Sequence, residues 1–157
     1  MLLRDEEDED RKRDLILDQY LPYRMAVIAH LMSTGFAKRY SKEYDMSIGE
    51  WRIMANLGHL EPQSGHEIGA HSHLDKVQIS RAVARLEKKG WIQREGDKVD
   101  RRRNLLTLTP AGRKVFNAIG KLALDFEDDV SASLTTEEYA ALDRILKKLS
   151  KRAEALA

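Results

Sequence analysis

The stretch His66–Thr109, HEIGAHSHLDKVQISRAVARLEKKGWIQREGDKVDRRRNLLTLT, decides the fold. Ser64 and Glu67 have the spacing of a helix-opening capping box and start a short helix through Ile68 to about His71. After a turn, Asp75 with Gln78 three residues on opens a second helix, with Leu74 and Ile79 at the staple positions. Ile79, Val83 and Leu86 give that helix a buried stripe. Val77, Gln78, Arg81, Ala84, Arg85 and Lys88 occupy the opposite face. Gly90, after Lys88 and Lys89, is a helix stop with cations suitably placed in the last turn.

From Trp91 the period shortens. Ile92 and Arg94, then Leu106 and Leu108, belong to alternating segments joined by a charged loop that ends in Asp100, Arg101, Arg102 and Arg103. This predicts a β-hairpin with a long tip packed on the preceding helix. Helix, turn, helix and hairpin together are the outline of a winged helix-turn-helix, which lays one helix in the DNA major groove. On that reading Lys76, Val77, Gln78 and Arg81 meet base edges, because their groups match guanine, adenine and the thymine methyl. Ser80, Arg85 and Lys88 are placed for phosphates. The three wing arginines suit the minor groove, with Asp100 holding one guanidinium. A solvated helix with scattered charge is the plain alternative for the helix alone, and the adjacent arginine loop makes it harder to sustain.

Outward from this stretch, helical stripes dominate. Toward the N-terminus, Met25, Ile28, Met32, Phe36 and Tyr40 recur every three or four residues, with Pro22 either starting that helix or kinking a longer one. Ser47 and Glu50 form another capping box, Met46 and Trp51 a staple, and Gly58 is read as the end of that helix. The segment Glu61–Gly65 is a turn-rich connection. Toward the C-terminus, Thr109 and Pro110 start a helix striped by Val115, Ile119, Leu122, Phe126 and Val130. Thr135 and Glu138 start a final one carrying Leu142, Ile145, Leu149 and Leu156.

The expected architecture is therefore mainly α with a small β-hairpin wing. It comprises an acidic arm (1–13), an N-terminal dimerisation helix (14–45), a winged helix-turn-helix domain (46–109) and C-terminal dimerisation helices (110–157). The terminal helices carry more apolar face than the small winged module can cover, which a second copy related by a two-fold axis would bury. Packing back onto the same chain is the competing arrangement.

The chain's 157 residues carry 27 Lys and Arg against 26 Asp and Glu, with a net charge of +1. Charge is unevenly spread: Asp5–Asp10 are all acidic, while Asp75–Arg103 carries a basic surplus. Cysteine is absent, which excludes disulfides and thiolate metal sites. No apolar run approaches a membrane span and no signal-peptide core is present, so the expected location is cytoplasmic. His59, His66, His71 and His73 cluster in sequence. Without thiolates a zinc site there needs carboxylates such as Glu61 or Glu67. No nucleophile–base spacing or phosphate-binding glycine loop supports an enzyme, and no cofactor is expected.

DKVQISRAVARLEKKGWIQR followed by DRRRNLLTLTPAGR resembles the signature of the MarR family of bacterial transcriptional regulators. Asp100, Arg102, Leu108, Thr109 and Gly112 fall where that family's wing motif places them. The resemblance implies a homodimer on double-stranded DNA at a pseudo-palindromic site, usually a repressor released by a small ligand. Leu21-Pro22-Tyr23-Arg24 with Glu50-Trp51-Arg52 further resembles the branch controlling aromatic-compound catabolism, whose effectors are aromatic carboxylates or coenzyme A thioesters. By family analogy the effector lies between winged module and dimer helices. Arg24 would pair with its carboxylate while Ile28, Met32 and Trp51 supply apolar walls. A constitutive architectural DNA-binding protein and a metal-responsive regulator using the His59–His73 cluster stay open as alternatives.

Overall fold

The computed structural model describes residues 14–96 and 104–157. The acidic arm of 1–13 and the wing-tip residues Asp100, Arg101, Arg102 and Arg103 lie outside them. The chain divides into two compact units, one ending at Gly35 and the other running Phe36–Ala157. The division falls within helix α1 (Leu21–Tyr44).

In the first unit a 3₁₀ turn at Leu17–Gln19 precedes α1. Pro22 sits in the first turn of α1, where its missing N–H costs nothing, and starts the helix instead of kinking a longer one. Further along, Thr34 Oγ1 donates back to the His30 carbonyl at 2.9 Å. Met25, Ile28, Leu31 and Met32 are all exposed, so the apolar stripe of α1 is not covered within this unit.

The second unit holds α2 (Ile48–His59), β1 (Gln63–Ser64), α3 (Gly65–Ser72), α4 (Lys76–Lys88), β2 (Ile92–Gly96), β3 (Asn104–Leu108), α5 (Pro110–Ser131) and α6 (Thr136–Glu154). Capping boxes close at Ser47/Glu50, Ser64/Glu67, Asp75/Gln78 and Thr135/Glu138, satisfying the orphan amides that begin each helix. Thr109 Oγ1 caps α5 by accepting from the Gly112 N–H at 3.0 Å. The strands form an antiparallel sheet in the order β1-β3-β2, with Ile92 opposite Leu108 and Gly96 opposite Asn104. The core joins Ile53, Met54 and Leu57 of α2 to Ile68, to Ile79, Ala82, Val83 and Leu86 of α4, to Ile92, Leu106 and Leu108 of the sheet, and to Ile119 of α5. Each of the larger side chains contributes about 1.5–3 kcal/mol through burial, and Ala82 less.

Two readings of the sequence are corrected. Gly58 does not end α2; the helix runs on to His59 and Leu60 caps it in an extended conformation. Its bare Cα instead admits Phe116, whose ring a β-carbon there would meet at 2.3 Å. The Glu61–Gly65 connection is more than a turn, because Gln63 and Ser64 pair with Leu106 and Leu105. Gln63 is buried, and its Nε2 donates to the carbonyls of Leu60 and, at 2.9 Å, Asn56, satisfying the C-terminal end of α2. Among the described residues no helix is long and apolar enough to cross a membrane.

Candidate nucleic-acid interface

Helix α4 is held by one face and open on the other. Ile79, Ala82, Val83 and Leu86 are buried, while Lys76, Val77, Gln78, Ser80, Arg81, Arg85 and Lys88 are exposed. Val77 is 58 % exposed, an apolar side chain at the start of a helix with nothing laid over it. Among the described residues Lys76, Arg81 and Lys88 have no ion-pair partner.

Arg85 is different. Its Nε donates to Glu50 Oε1 at 3.0 Å, and Glu50 is only 1 % exposed. Asp45 lies 3.5 Å from the same guanidinium, and Lys89 Nζ is 3.6 Å from the Glu50 carboxylate. Glu50 also accepts from the Ser47 N–H at 2.7 Å, so one buried carboxylate ties the start of α2 to the last turns of α4. A phosphate contact expected of Arg85 competes with this bond, because a buried carboxylate stripped of a partner is costly. Lys89 is anchored too, donating to the Asp45 carbonyl and lying 5.0 Å over the Trp91 ring.

The base of the wing is fixed to the same helix. Arg94 of β2 grips Glu87 of α4 through two parallel bonds, Nε–Oε1 at 2.7 Å and NH2–Oε2 at 3.1 Å. The hydrogen bond to Glu87 raises the Arg94 pKa. Gly90, at φ +70°, reverses the chain from α4 into β2. Thr109 ties the far end, its Oγ1 donating to the Gly90 carbonyl at 2.6 Å and its N–H to the Trp91 carbonyl at 3.0 Å. Gly112 lies so close to this joint that a β-carbon there would meet the Trp91 oxygen at 1.8 Å. Glu61 braces the other side, accepting from the Leu108 N–H at 2.8 Å and pairing with Arg113.

Between α3, α4 and the sheet opens a cleft of about 620 Å³. Leu74, Ile79, Val83 and Leu106 line it with Lys76, Ser80, His66, Arg94 and Asn104. His66, Arg94 and Asn104 were not expected in this cleft: Arg94 and Asn104 reach it through the strand register and His66 through the seating of α3.

The expected effector residues are placed as follows. Arg24, Ile28 and Met32 are all exposed on α1 and recur every four residues, hence along one face. Trp51, in the second unit, packs among Phe36, Tyr40 and Phe116, with ring centroids 5.9, 5.9 and 6.0 Å away. The histidines are dispersed over α2, α3 and its left-handed cap His73, and no three His, Asp or Glu side chains among the described residues group as a metal-ion set. Glu61 and Glu67 are taken up by the wing joint and the α3 cap.

A helix-turn-helix with an exposed basic second helix and a rigidly attached hairpin defines a winged-helix DNA-binding protein. Comparison with known proteins supports this. The MarR family pattern matches residues 46–103. A HTH-type transcriptional regulator, BilQ of Clostridium symbiosum, is 32% identical over 122 residues, 78% of this chain and 85% of the relative. A putative transcriptional regulatory protein for the hcr operon of Thauera aromatica is 34% identical over 114 residues, 73% of this chain and 69% of the relative. A MarR-family regulator structure from Silicibacter pomeroyi superposes with TM-score 0.73 at 26% identity, covering 85% of this chain and 90% of that one. A MarR/EmrR-family structure from Acinetobacter sp. ADP1 shares the fold with TM-score 0.80 at 24% identity, covering 90% and 99%. The chain belongs to the MarR family of transcriptional regulators.

Proposed function

We propose that the protein is a homodimeric repressor that binds a pseudo-palindromic operator and is released by a small aromatic acid or its coenzyme A thioester. The observation that carries this reading is the open face of α4, where Lys76, Val77, Gln78, Ser80, Arg81 and Lys88 stand exposed on a helix seated by four buried residues. Lys76, Gln78 and Arg81 read bases, Ser80 and Lys88 contact phosphates, and Arg101, Arg102 and Arg103 enter the minor groove with Asp100 orienting one of them. Arg85 acts chiefly by seating the helix through Glu50.

The dimer rests on α6, which has no buried residue although Leu142, Ile145 and Leu146 form an apolar face. A second copy is the partner that covers such a face in a two-fold assembly. Residues 14–45 and 110–157 thus serve dimerisation and 46–109 DNA binding. The effector reading rests on Arg24 standing above exposed Ile28 and Met32 on one face of α1, a cation beside apolar surface suited to an aromatic carboxylate. Trp51 is the fourth residue assigned to it. The effector releases DNA only by preferring a dimer whose two recognition helices are wrongly spaced.

The test is fluorescence anisotropy with an operator selected from random DNA, followed by titration with benzoates, hydroxycinnamates and their thioesters. Release is expected with one of these classes. Arg24→Ala should leave operator affinity unchanged and raise the effector concentration for release about tenfold. Binding indifferent to sequence contradicts the operator reading. Specific binding that no compound reverses selects the constitutive alternative.

A further inference from the structure

The first turn of α4 contains an amide that is only half available. Asp75 Oδ1 accepts from the Gln78 backbone N–H at 2.8 Å, and Gln78 Oε1 accepts from the Asp75 backbone N–H at 3.0 Å. Only the oxygen of a glutamine amide can accept from an N–H, so chemistry fixes which end turns back to the cap. Oε1 keeps a second lone pair but is turned back toward the cap, and what remains outward is Nε2, with two donor hydrogens. Gln78 is exposed, and among the described residues Nε2 has no partner.

Adenine binds glutamine bidentately because its major-groove edge sets the N6 donor beside the N7 acceptor, a pairing that needs Oε1 and Nε2 together. In the capped conformation Oε1 is engaged and drawn back along the helix, so that pair is not presented. Guanine instead offers two neighbouring acceptors, N7 and O6, which match an amino group. Arg81 lies three residues further along and also carries only donors, as does Lys76. Of the three residues assigned to bases by hydrogen bonding, Lys76 and Arg81 are donors only, and capped Gln78 turns its donor end outward.

Building on the DNA-reading role proposed for α4, we propose that Gln78 determines specificity as a donor and selects guanine. The helix cap, by turning its carbonyl back to the Asp75 N–H, takes away the bidentate pairing with adenine. Extending Gln78 to reach adenine would open the capping box at the moment of binding, which couples base choice to helix integrity.

Selection of bound sequences from a randomised DNA pool, with the full-length wild type, Gln78→Glu and Gln78→Ala, tests this. Glutamate at this position keeps an acceptor for the Asp75 N–H and suits the helix N-terminus, so Gln78→Glu should hold or raise the Tm while presenting only acceptors to the groove. The expected result is one position per half-site that is guanine for the wild type and cytosine, through its N4 amino group, for Gln78→Glu. For Gln78→Ala the preference there should fall about tenfold. Adenine at the position altered by these substitutions, guanine retained by Gln78→Glu, or a motif insensitive to both variants overturns the role of Gln78 while leaving DNA reading by α4 intact. A wild type that enriches no sequence overturns both.

Discussion

At Arg85 two roles compete for one guanidinium. Its position on the outer face of α4 suits a phosphate, yet Nε is bonded to a carboxylate that is almost wholly buried. Removing Arg85 leaves Glu50, among the described residues, with the Ser47 amide and Lys89, so a seating role predicts a loss of stability. Since more than half of the Arg85 side chain meets solvent, the expected loss for Arg85→Ala is about 1–2 kcal/mol, below that of a fully buried pair. Urea unfolding measures it. The salt dependence of DNA affinity separates the roles: Lys88→Ala should lower the slope of log K against log salt by about 1, and Arg85→Ala should change it little. An equal drop in slope for both would return Arg85 to the phosphates. Gly112 is a purely steric case. A β-carbon would collide with the Trp91 carbonyl that receives the Thr109 N–H, so Gly112→Ala should cost about 2–3 kcal/mol, seen as a lowered Tm. A neutral effect would mean that the α5–wing joint gives way easily.

Among the elements, those encoded by near neighbours were readable from sequence and those encoded by distant ones were not. The capping boxes at Ser47, Ser64, Asp75 and Thr135 are written in three-residue spacings, and all four close as the spacing requires. Gly90 likewise marks the end of α4 because a left-handed residue is needed there. Gly58 misleads, since its reason is the ring of Phe116 on α5 and not a local chain reversal. The strand at Gln63–Ser64 is too short to show a period, and its partner β3 is remote in sequence. Within the candidate interface, the exposed residues of α4 followed from helical period alone. The commitment of Arg85 to Glu50 did not, because α2 lies far back along the chain. The wing arginines belong to this scale as well. Arg102→Ala should weaken binding to all sequences alike and reduce the salt slope by about 1, whereas Arg81→Ala should relax specificity.

For the whole molecule, the decisive feature is apolar surface that the single chain leaves uncovered. Ile145 is 49 % exposed, and Leu142 and Leu146 beside it on α6 are also open. An amphipathic helix of this length gains little stability from its own propensity and depends on packing of its apolar face. A double variant, Leu142→Asp with Ile145→Asp, should weaken self-association at least about a hundredfold by placing charges in the centre of that contact. Sedimentation velocity should then show monomers, with loss of operator binding but retention of helical circular dichroism. A dimer that survives both substitutions would move the interface elsewhere. In the proposed dimer, two linked copies of α4 would convert a weak, salt-sensitive grip into selection of one site, because each copy would present the same reading face to one half-site.

The most direct test is the ratio of affinities for selected operator and for random DNA, measured at one salt concentration for the wild type and Arg81→Ala. The wild-type ratio should be about 10³ or higher. Arg81→Ala should reduce it at least about tenfold while leaving affinity for random DNA within a few-fold. A wild-type ratio near one, or a ratio that Arg81→Ala leaves unchanged, would contradict sequence reading by the open face of α4.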